Sequence, residues 1–411
     1  MSIEQDYIAR KKRVKTAVAL QEADRVPFLP NISSEYFVCN YGINMYEAMK
    51  DPLLMKNSYK SYLLEIEPDL TGPPALFPVK PLETSKFSCG RWPGPYYGLP
   101  EDIAYQYIDK EYLHDDCYEE FFKDPSRFIL HKILPIKHEA FKPFERIEPY
   151  MMCDSAIYGF AAFAAPDFLD AIEAFVQTAK QTAEYLDKAA ELGKMATEMG
   201  FPDFGAGSVM APFDEFADHV RGILQACYDC VAAPEDIKRA VDLWGDVTIP
   251  LRVNMAKANG AEYVMMPLHC GVDNFMSRES YENIYWPGLR RAIHMIVEND
   301  MTPYVFCEGK YNTRLEILRD VPKGKVIYLF EDVDMKEAKR ILGDVACIAG
   351  GMSSDLLMHF SAEKVIDKTK EIIDICAPGG GFIMSNGSSL FQANTENVRV
   401  WKETLFEYGK Y

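Results

Sequence analysis

The chain has 411 residues and a mass of 46.8 kDa, a length that an α/β barrel with insertions absorbs as one domain. Its formal net charge of -18 lacks the basic footprint that nucleic acids and anionic membranes require, so neither is expected as a partner. Hydrophobic residues at 48% predict a sizeable core, and no run of roughly twenty apolar residues predicts a membrane span.

Residues Met1 to Arg13 are polar and end in the basic run Arg10-Lys11-Lys12-Arg13, without the apolar centre of a signal peptide. A cytoplasmic protein is therefore expected. A helix containing Val14 to Leu20 comes next, and a first strand is predicted over Val26 to Pro30. Residues from about 34 to 145 are rich in Pro, Tyr and Phe, as in Trp92-Pro93-Gly94-Pro95-Tyr96-Tyr97-Gly98. No flexible linker flanks them, so they are read as an insertion or lid over one barrel mouth, within a single domain spanning 1–411. Phe201-Pro202-Asp203 and Ala211-Pro212-Phe213-Asp214-Glu215 bracket another strand end, and Phe213 is a candidate pocket residue. Cys227 and Cys230 form a Cys-x-x-Cys without a second pair or a histidine pair nearby. They read as two thiols on a packed helix rather than a zinc site.

From there the chain alternates. Apolar runs at Glu262 to Leu268, Thr302 to Cys307, Lys325 to Phe330, Val345 to Ala349 and Gly381 to Ser385 are separated by segments of helical spacing. Ser361 to Cys376 places Val365, Ile366, Ile372, Ile373 and Cys376 on one face, with Ser361 as N-cap. Continuous apolar strands between helices imply a parallel sheet buried on both faces, and five or more units favour a closed barrel over an open sheet, with a doubly wound fold left as the alternative that periodicity alone does not exclude. Gly379-Gly380-Gly381 precedes a strand, so it is a turn and not a phosphate cradle.

Barrel chemistry gathers where strands end. That rule selects Pro267-Leu268-His269-Cys270-Gly271, Phe306-Cys307-Glu308-Gly309-Lys310-Tyr311, Glu331-Asp332-Val333-Asp334 and Ser385-Asn386-Gly387-Ser388. Glu308 stands out, because a carboxylate after an apolar strand and before glycine projects into the mouth with backbone room beside it. The plainer alternative is a salt bridge to a neighbouring Lys or Arg. Asp332 and Asp334 follow the next strand, so one of them is expected to approach Glu308, while Asp334 better suits the N-cap of the helix starting near Met335. His269-Cys270 offers soft ligands, although a structural histidine is the commoner outcome.

Several of these segments resemble the uroporphyrinogen-decarboxylase-like superfamily. The N-terminal run through Ala19-Leu20 to Asp24-Arg25-Val26-Pro27 is similar to that family's opening signature. So are Glu308-Gly309-Lys310-Tyr311, Arg314-Leu315-Glu316, Pro322-Lys323-Gly324-Lys325, Ala338-Lys339, Leu342-Gly343-Asp344, Cys347-Ile348-Ala349-Gly350 and Gly380-Gly381-Phe382-Ile383. The resemblance implies a (β/α)8 TIM barrel with an elaborated N-terminal region. True decarboxylases carry an arginine-rich loop after Arg-x-Pro for the substrate's carboxylates, whereas Val26-Pro27-Phe28-Leu29-Pro30-Asn31-Ile32 has no arginine. The thiol-methylating branch holds zinc with His-x-Cys and a later Cys, and those positions fall here on Phe306, Glu308 and Ser388. Cys307 is adjacent but belongs to the opposite strand face.

What the resemblance then implies is the methyltransferase branch that moves a methyl group from a small donor, such as an aryl methyl ether, to the cobalt of a separate corrinoid protein. The corrinoid would come with that partner. His219-Val220-Arg221-Gly222 ends like a cobalt-ligating Asp-x-His-x-x-Gly motif but has Ala217 in place of the aspartate, so no cobamide motif is present. Glu308 is the expected acid, with Asp332 and Tyr311 as helpers; His269, Asn386, Ser388 and Phe213 are expected at the substrate. A zinc ion on a rebuilt site using Glu308 and His269 stays open, as does self-association. The alternatives are a methylcobamide:thiol methyltransferase with altered zinc ligands, a decarboxylase, or a barrel that only binds.

Overall fold

Short apolar runs rich in β-branched and aromatic residues, each followed by an amphipathic helix, can bury both faces only in a parallel sheet between two layers. The computed structural model, which describes residues 2–153, 157–205 and 207–411 and leaves out the side chains of Pro149 and Met151, has that arrangement. A small antiparallel ribbon, β1 (Gly90–Arg91) with β2 (Gln106–Tyr107), lies in the N-terminal part. The main sheet is parallel, with β3 (Tyr263–Leu268), β4 (Thr302–Lys310), β5 (Ile327–Asp332), β6 (Cys347–Met352) and β7 (Phe382–Asn386) paired in sequence order. Helices Trp286–Glu298, Met335–Leu342 and Ala362–Cys376 make the crossovers. Asp334 caps the second by accepting from Lys336 and Glu337 N–H.

Three further segments close the sheet into a ring through isolated bridges. Phe28 pairs in parallel with Met384, and Leu29 N–H donates to Met384 O at 3.0 Å. Asp69 N–H donates to Phe28 O at 2.8 Å. Thr71 pairs with Asp203, and Ser208 pairs with Met265 of β3. Going around, the neighbours are the segments near 28, near 70 and at 203–208, then β3 to β7, which returns to 28. This is a TIM barrel in which the expected first strand, Val26 to Pro30, is reduced to bridging contacts.

Alternation along the strands fills the barrel axis. Leu29, Leu70, Tyr263, Tyr304, Phe306, Ile327, Leu329, Cys347, Ala349 and Ile383 form one buried cluster. Val14, Ala17 and Val18 of the helix Ile3–Val18 belong to it and plug the floor. The opposite faces, including Val264, Met266, Leu268, Val305 and Cys307, pack into the surrounding helical layer.

The floor is also held by charge. Asp69, whose side chain is fully buried, accepts from Phe28 N–H at 2.8 Å, from Arg25 at 2.7 Å and from Arg13. Arg25 stacks on Phe406 at 3.8 Å. The Arg-x-Pro signature thus belongs to barrel closure, away from the mouth. Gly380 has φ +74°, and a Cβ there would lie 2.2 Å from the Gln21 carbonyl carbon, so the glycine run is a turn tucked against the chain entering the barrel. No described helix is long and apolar enough to cross a membrane.

Candidate active site at the barrel mouth

The axis-facing phase fixes which strand-end side chains meet. On β4 that phase runs Tyr304, Phe306, Glu308; on β5 it runs Ile327, Leu329, Glu331. Leu268 of β3 is in register with Cys307, so His269 is the next neighbour of Glu308 across the sheet. The β4–β5 pairing is irregular between Cys307 and Lys310, where Gly309 adopts φ +82°. That bend turns the Gly309 N–H toward Glu331 Oε2, 2.5 Å away.

Glu308 is half-buried, and among the described residues no Lys or Arg pairs with it. Burial raises its pKa; the charges of Asp214, Glu331 and Asp218 add to that, His269 opposes it, and the result is about 7. The carboxyl therefore carries a proton for part of its time at neutral pH, which is the property of a general acid. His269 behaves in the complementary way. Burial disfavours its cation, but the charge of Asp214 and the Asp218 hydrogen bond outweigh it and raise the pKa to about 10.

The two aspartates come from a short helix, Pro212–Phe216, and the turn Ala217–Arg221 after it. Asp214 is fully buried. It accepts from Cys270 N–H at 3.0 Å, His269 N–H at 3.3 Å and the Tyr285 hydroxyl at 2.6 Å, which pins the end of β3. Asp218 lies 2.9 Å from His269 Nε2. The mouth thus carries three carboxylates, Asp214, Asp218 and Glu308, around one imidazole, with Glu331 beside Glu308.

On the other side of the axis lies a cavity of about 230 Å3. Its walls come from Asn31 and Ile32, from Thr71 to Pro74 and from Phe204, with Met265 and Tyr304 below. Asn31 Nδ2 is buried there without a hydrogen-bond partner, a donor left for a ligand acceptor. Aromatic side chains from the Pro-, Tyr- and Phe-rich segment lie beside the acidic group. Tyr107 donates to Asp218 O at 3.4 Å, and the Tyr105 phenol is held up in pKa by burial and by the charges of Glu35, Glu308 and Asp218. Trp92 and Phe77 pack on Tyr105, with ring centroids at 6.1 and 5.1 Å.

Not every candidate from the sequence reaches this place. Asp332 sits on the outer phase of β5, exposed, with Lys310 at 3.9 Å; the carboxylate beside Glu308 is Glu331. Tyr311 follows the Gly309 bend outward and is fully buried in the helical layer, with Cys307, Tyr281 and Asp214 as its electrostatic neighbours. Phe213 is fully buried against Tyr285, 5.6 Å between centroids, and does not line the cavity. Asn386 clamps Asn31 through N–H (2.8 Å) and carbonyl (3.0 Å), so it acts on the cavity through Asn31. Ser388 donates to Ser354 at 3.0 Å and ties two loops together. His219 lies 3.3 Å from Lys137 Nζ, and Arg221 is buried in ion pairs with Asp229, Glu111 and Asp115. Sequence reasoning did not single out Asn31 or Asp218, and within the strand-end runs it did select it favoured Phe213 over Asp214 and Asp332 over Glu331.

The zinc positions of the thiol-methylating branch do not fit a metal here. Phe306 is apolar and packed in the barrel interior, and Ser388 is engaged with Ser354. No group of three or more metal-capable side chains among the described residues joins Glu308 to His269. Among the described residues, the group with that geometry is Asp214, His269 and Cys270, whose ligand atoms all lie within 4.8 Å of one another.

An α/β barrel with an acidic mouth is the class that the fold and site define. Residues 166–408 match uroporphyrinogen decarboxylase (URO-D), and the chain belongs to that family. Among solved structures it is similar to a methyltransferase from Methanosarcina mazei, with a TM-score of 0.62 and 14% identity, covering 97% of this chain and 98% of that one. A B12-independent methionine synthase from Shewanella sp. W3-18-1 aligns over 49% of this chain and 60% of its own, with 9% identity and a TM-score of 0.32. No curated protein sequence matches.

Proposed function

We propose that this protein is a methyltransferase that takes a methyl group from a small neutral donor, an aryl methyl ether, and passes it to the cobalt of a separate corrinoid protein. The observation that carries this reading is Glu308, a carboxyl facing the mouth with a pKa of about 7, beside His269 and with no Lys or Arg partner among the described residues. An ether oxygen is a poor leaving group, so a proton delivered as the bond breaks is the chief help a site can give. The C–O bond breaks as the methyl carbon bonds to the partner's cobalt(I). Both C–O electrons stay on oxygen, the Glu308 proton neutralises it, and a phenol leaves.

The remaining features agree in kind. The cavity walled by Phe204, Ile32, Met265 and Tyr304 suits a flat apolar ring, and Asn31 offers it one donor. Carboxylates at 214, 218, 308 and 331 would repel a polyanionic tetrapyrrole, which disfavours decarboxylation of uroporphyrinogen. The M. mazei neighbour, similar nearly end to end, is itself named a methyltransferase.

The test is to incubate the purified protein with methoxylated aromatics and a reduced corrinoid protein, following the cobalt spectrum and phenol release together. Stoichiometric methylcobalt and phenol are expected. Methylation of a thiol from methylcobamide, with no ether cleavage across the panel, would overturn the assignment.

A further inference from the structure

Apart from the barrel cores, Phe141, Phe144, Phe168 and Ala171 make a small core of their own. Beside it the helix Pro149–Cys153, the 3-10 helix Ile157–Ala164 and the first turns of the helix Pro166–Glu198 pack on one another. This lobe shows more apolar side chain than it hides. Tyr150, Ile157 and Tyr158 are 85, 75 and 86% exposed, and nine large apolar residues between positions 150 and 176 face solvent. On the long helix, Phe168 and Ala171 point into the small core, where an ordinary surface helix would turn a polar face outward. Here Leu169, Ile172 and Val176, spaced i, i+3, i+7, form a second apolar stripe that lies open.

These residues present on the order of 1,000 Å2 of mostly apolar surface, against roughly 300–600 Å2 for the largest patch of an ordinary monomer and roughly 800 Å2 per partner in a standard stable interface. We propose that a second copy of this chain covers the face, in a twofold dimer built on the 3-10 helix Ile157–Ala164 and the stripe of Leu169, Ile172 and Val176. A twofold axis brings the same patch onto itself, so apolar surface meets apolar surface. Interfaces this apolar belong to permanent self-association, whereas a corrinoid protein that leaves at every turnover would uncover the patch each time. The flanks are acidic, with Glu148, Asp167, Asp170 and Glu173, which disfavours an anionic bilayer as the cover. Two of those carboxylates are held within the chain, Glu148 by Arg127 at 2.5 Å and Asp167 by Arg146 at 2.9 Å, which softens their repulsion of a second copy.

The experiment is analytical ultracentrifugation of the full chain at tens of micromolar, with hydroxyl-radical footprinting of the same sample. A particle of twice the 46.8 kDa chain mass is expected. Tyr150 and Tyr158 should be protected severalfold relative to Tyr228, which is 62% exposed on the helix Ile223–Ala232. The double variants I157E/Y158E and L169E/I172E should sediment as monomers with unchanged circular dichroism. L224E/V231E, the same change at another exposed apolar pair, should stay dimeric. A monomeric unaltered chain would overturn the proposal, as would a dimer that survives both lobe variants or whose Tyr150 and Tyr158 react as freely as Tyr228. So would protection that arises only on adding a corrinoid protein or phosphatidylcholine vesicles, since the face would then belong to that occupant. Where a lobe variant fails to fold, the mass and footprint of the unaltered chain still decide. None of these readouts uses methyl transfer, so failure of the ether-cleavage assay leaves them standing.

Discussion

The Gly309 N–H donates to the Glu331 carboxylate at 2.5 Å, and that bond holds a second negative charge beside Glu308. Glu331 is one of the charges that raise the Glu308 pKa. Replacing Glu331 by Gln keeps an acceptor for Gly309 and removes the charge. The alkaline limb of the methyl-transfer pH profile should move to lower pH, because Glu308 then ionises more easily. Asp332→Asn should leave the limb in place. A profile unmoved by Glu331→Gln would disconnect the two carboxylates.

Glu308→Gln is expected to lower methyl transfer by about a hundredfold or more, the usual size of a lost general acid. Its effect on stability should have the opposite sign. The folded pKa of about 7 lies above the ordinary glutamate value, so the stability contributed by protonated Glu308 is present below about 4.5 and is lost as pH rises through 7. At pH 8 the ionised group should cost the fold ~2–3 kcal/mol, and the Gln variant should recover part of that. Urea titrations of both proteins at pH 5 and pH 8 measure it; equal stabilities at both pH values would contradict the burial of the charge.

Asn31 presents an unpartnered buried amide N–H to the cavity while its backbone is clamped by Asn386. With Asn31→Ala, KM for the methyl donor should rise about three- to tenfold, the worth of one neutral hydrogen bond, with kcat less affected. A fall in kcat alone would place Asn31 in the bond-breaking step instead.

Asp69 is the buried anion between Arg13 and Arg25 at the barrel floor. Asp69→Ala strands two guanidinium groups with low exposure and should destabilise the fold by ~3–5 kcal/mol in denaturant unfolding. Because the floor lies at the opposite end from Glu308, the kcat of the surviving folded fraction should change little.

Five strands were legible because each is a continuous apolar run bounded by helix signals, and their observed limits fall within three residues of the sequence reading. Of the first three barrel positions, the sequence located Val26 to Pro30 and a strand end near 203–211, while the segment near 70 was hidden. Thr71-Gly72-Pro73-Pro74 has no strand periodicity to detect. The strand phase was also hidden. When both faces are buried, Ile327 and Leu329 look no different from Tyr328 and Phe330, so nothing in the sequence separates Glu331 from Asp332. Tyr311 was misplaced because the left-handed Gly309 turns the chain outward two residues earlier. Asp214 and Asp218 meet His269 across more than fifty residues of chain, a relation that no local pattern encodes.

The hydrogen bonds between Phe28 and Met384 and their neighbours join positions more than 350 residues apart. During synthesis, then, the first segment emerges with its apolar Phe28 and Leu29 and waits for nearly the whole chain before its lateral partner exists. β3 to β7 pair in the order in which they leave the ribosome, but the ring cannot shut until β7 has been released. The N-terminal quarter of the protein therefore spends its early life as an open-edged, aromatic-rich intermediate, the species on which a chaperone or an aggregation nucleus would act.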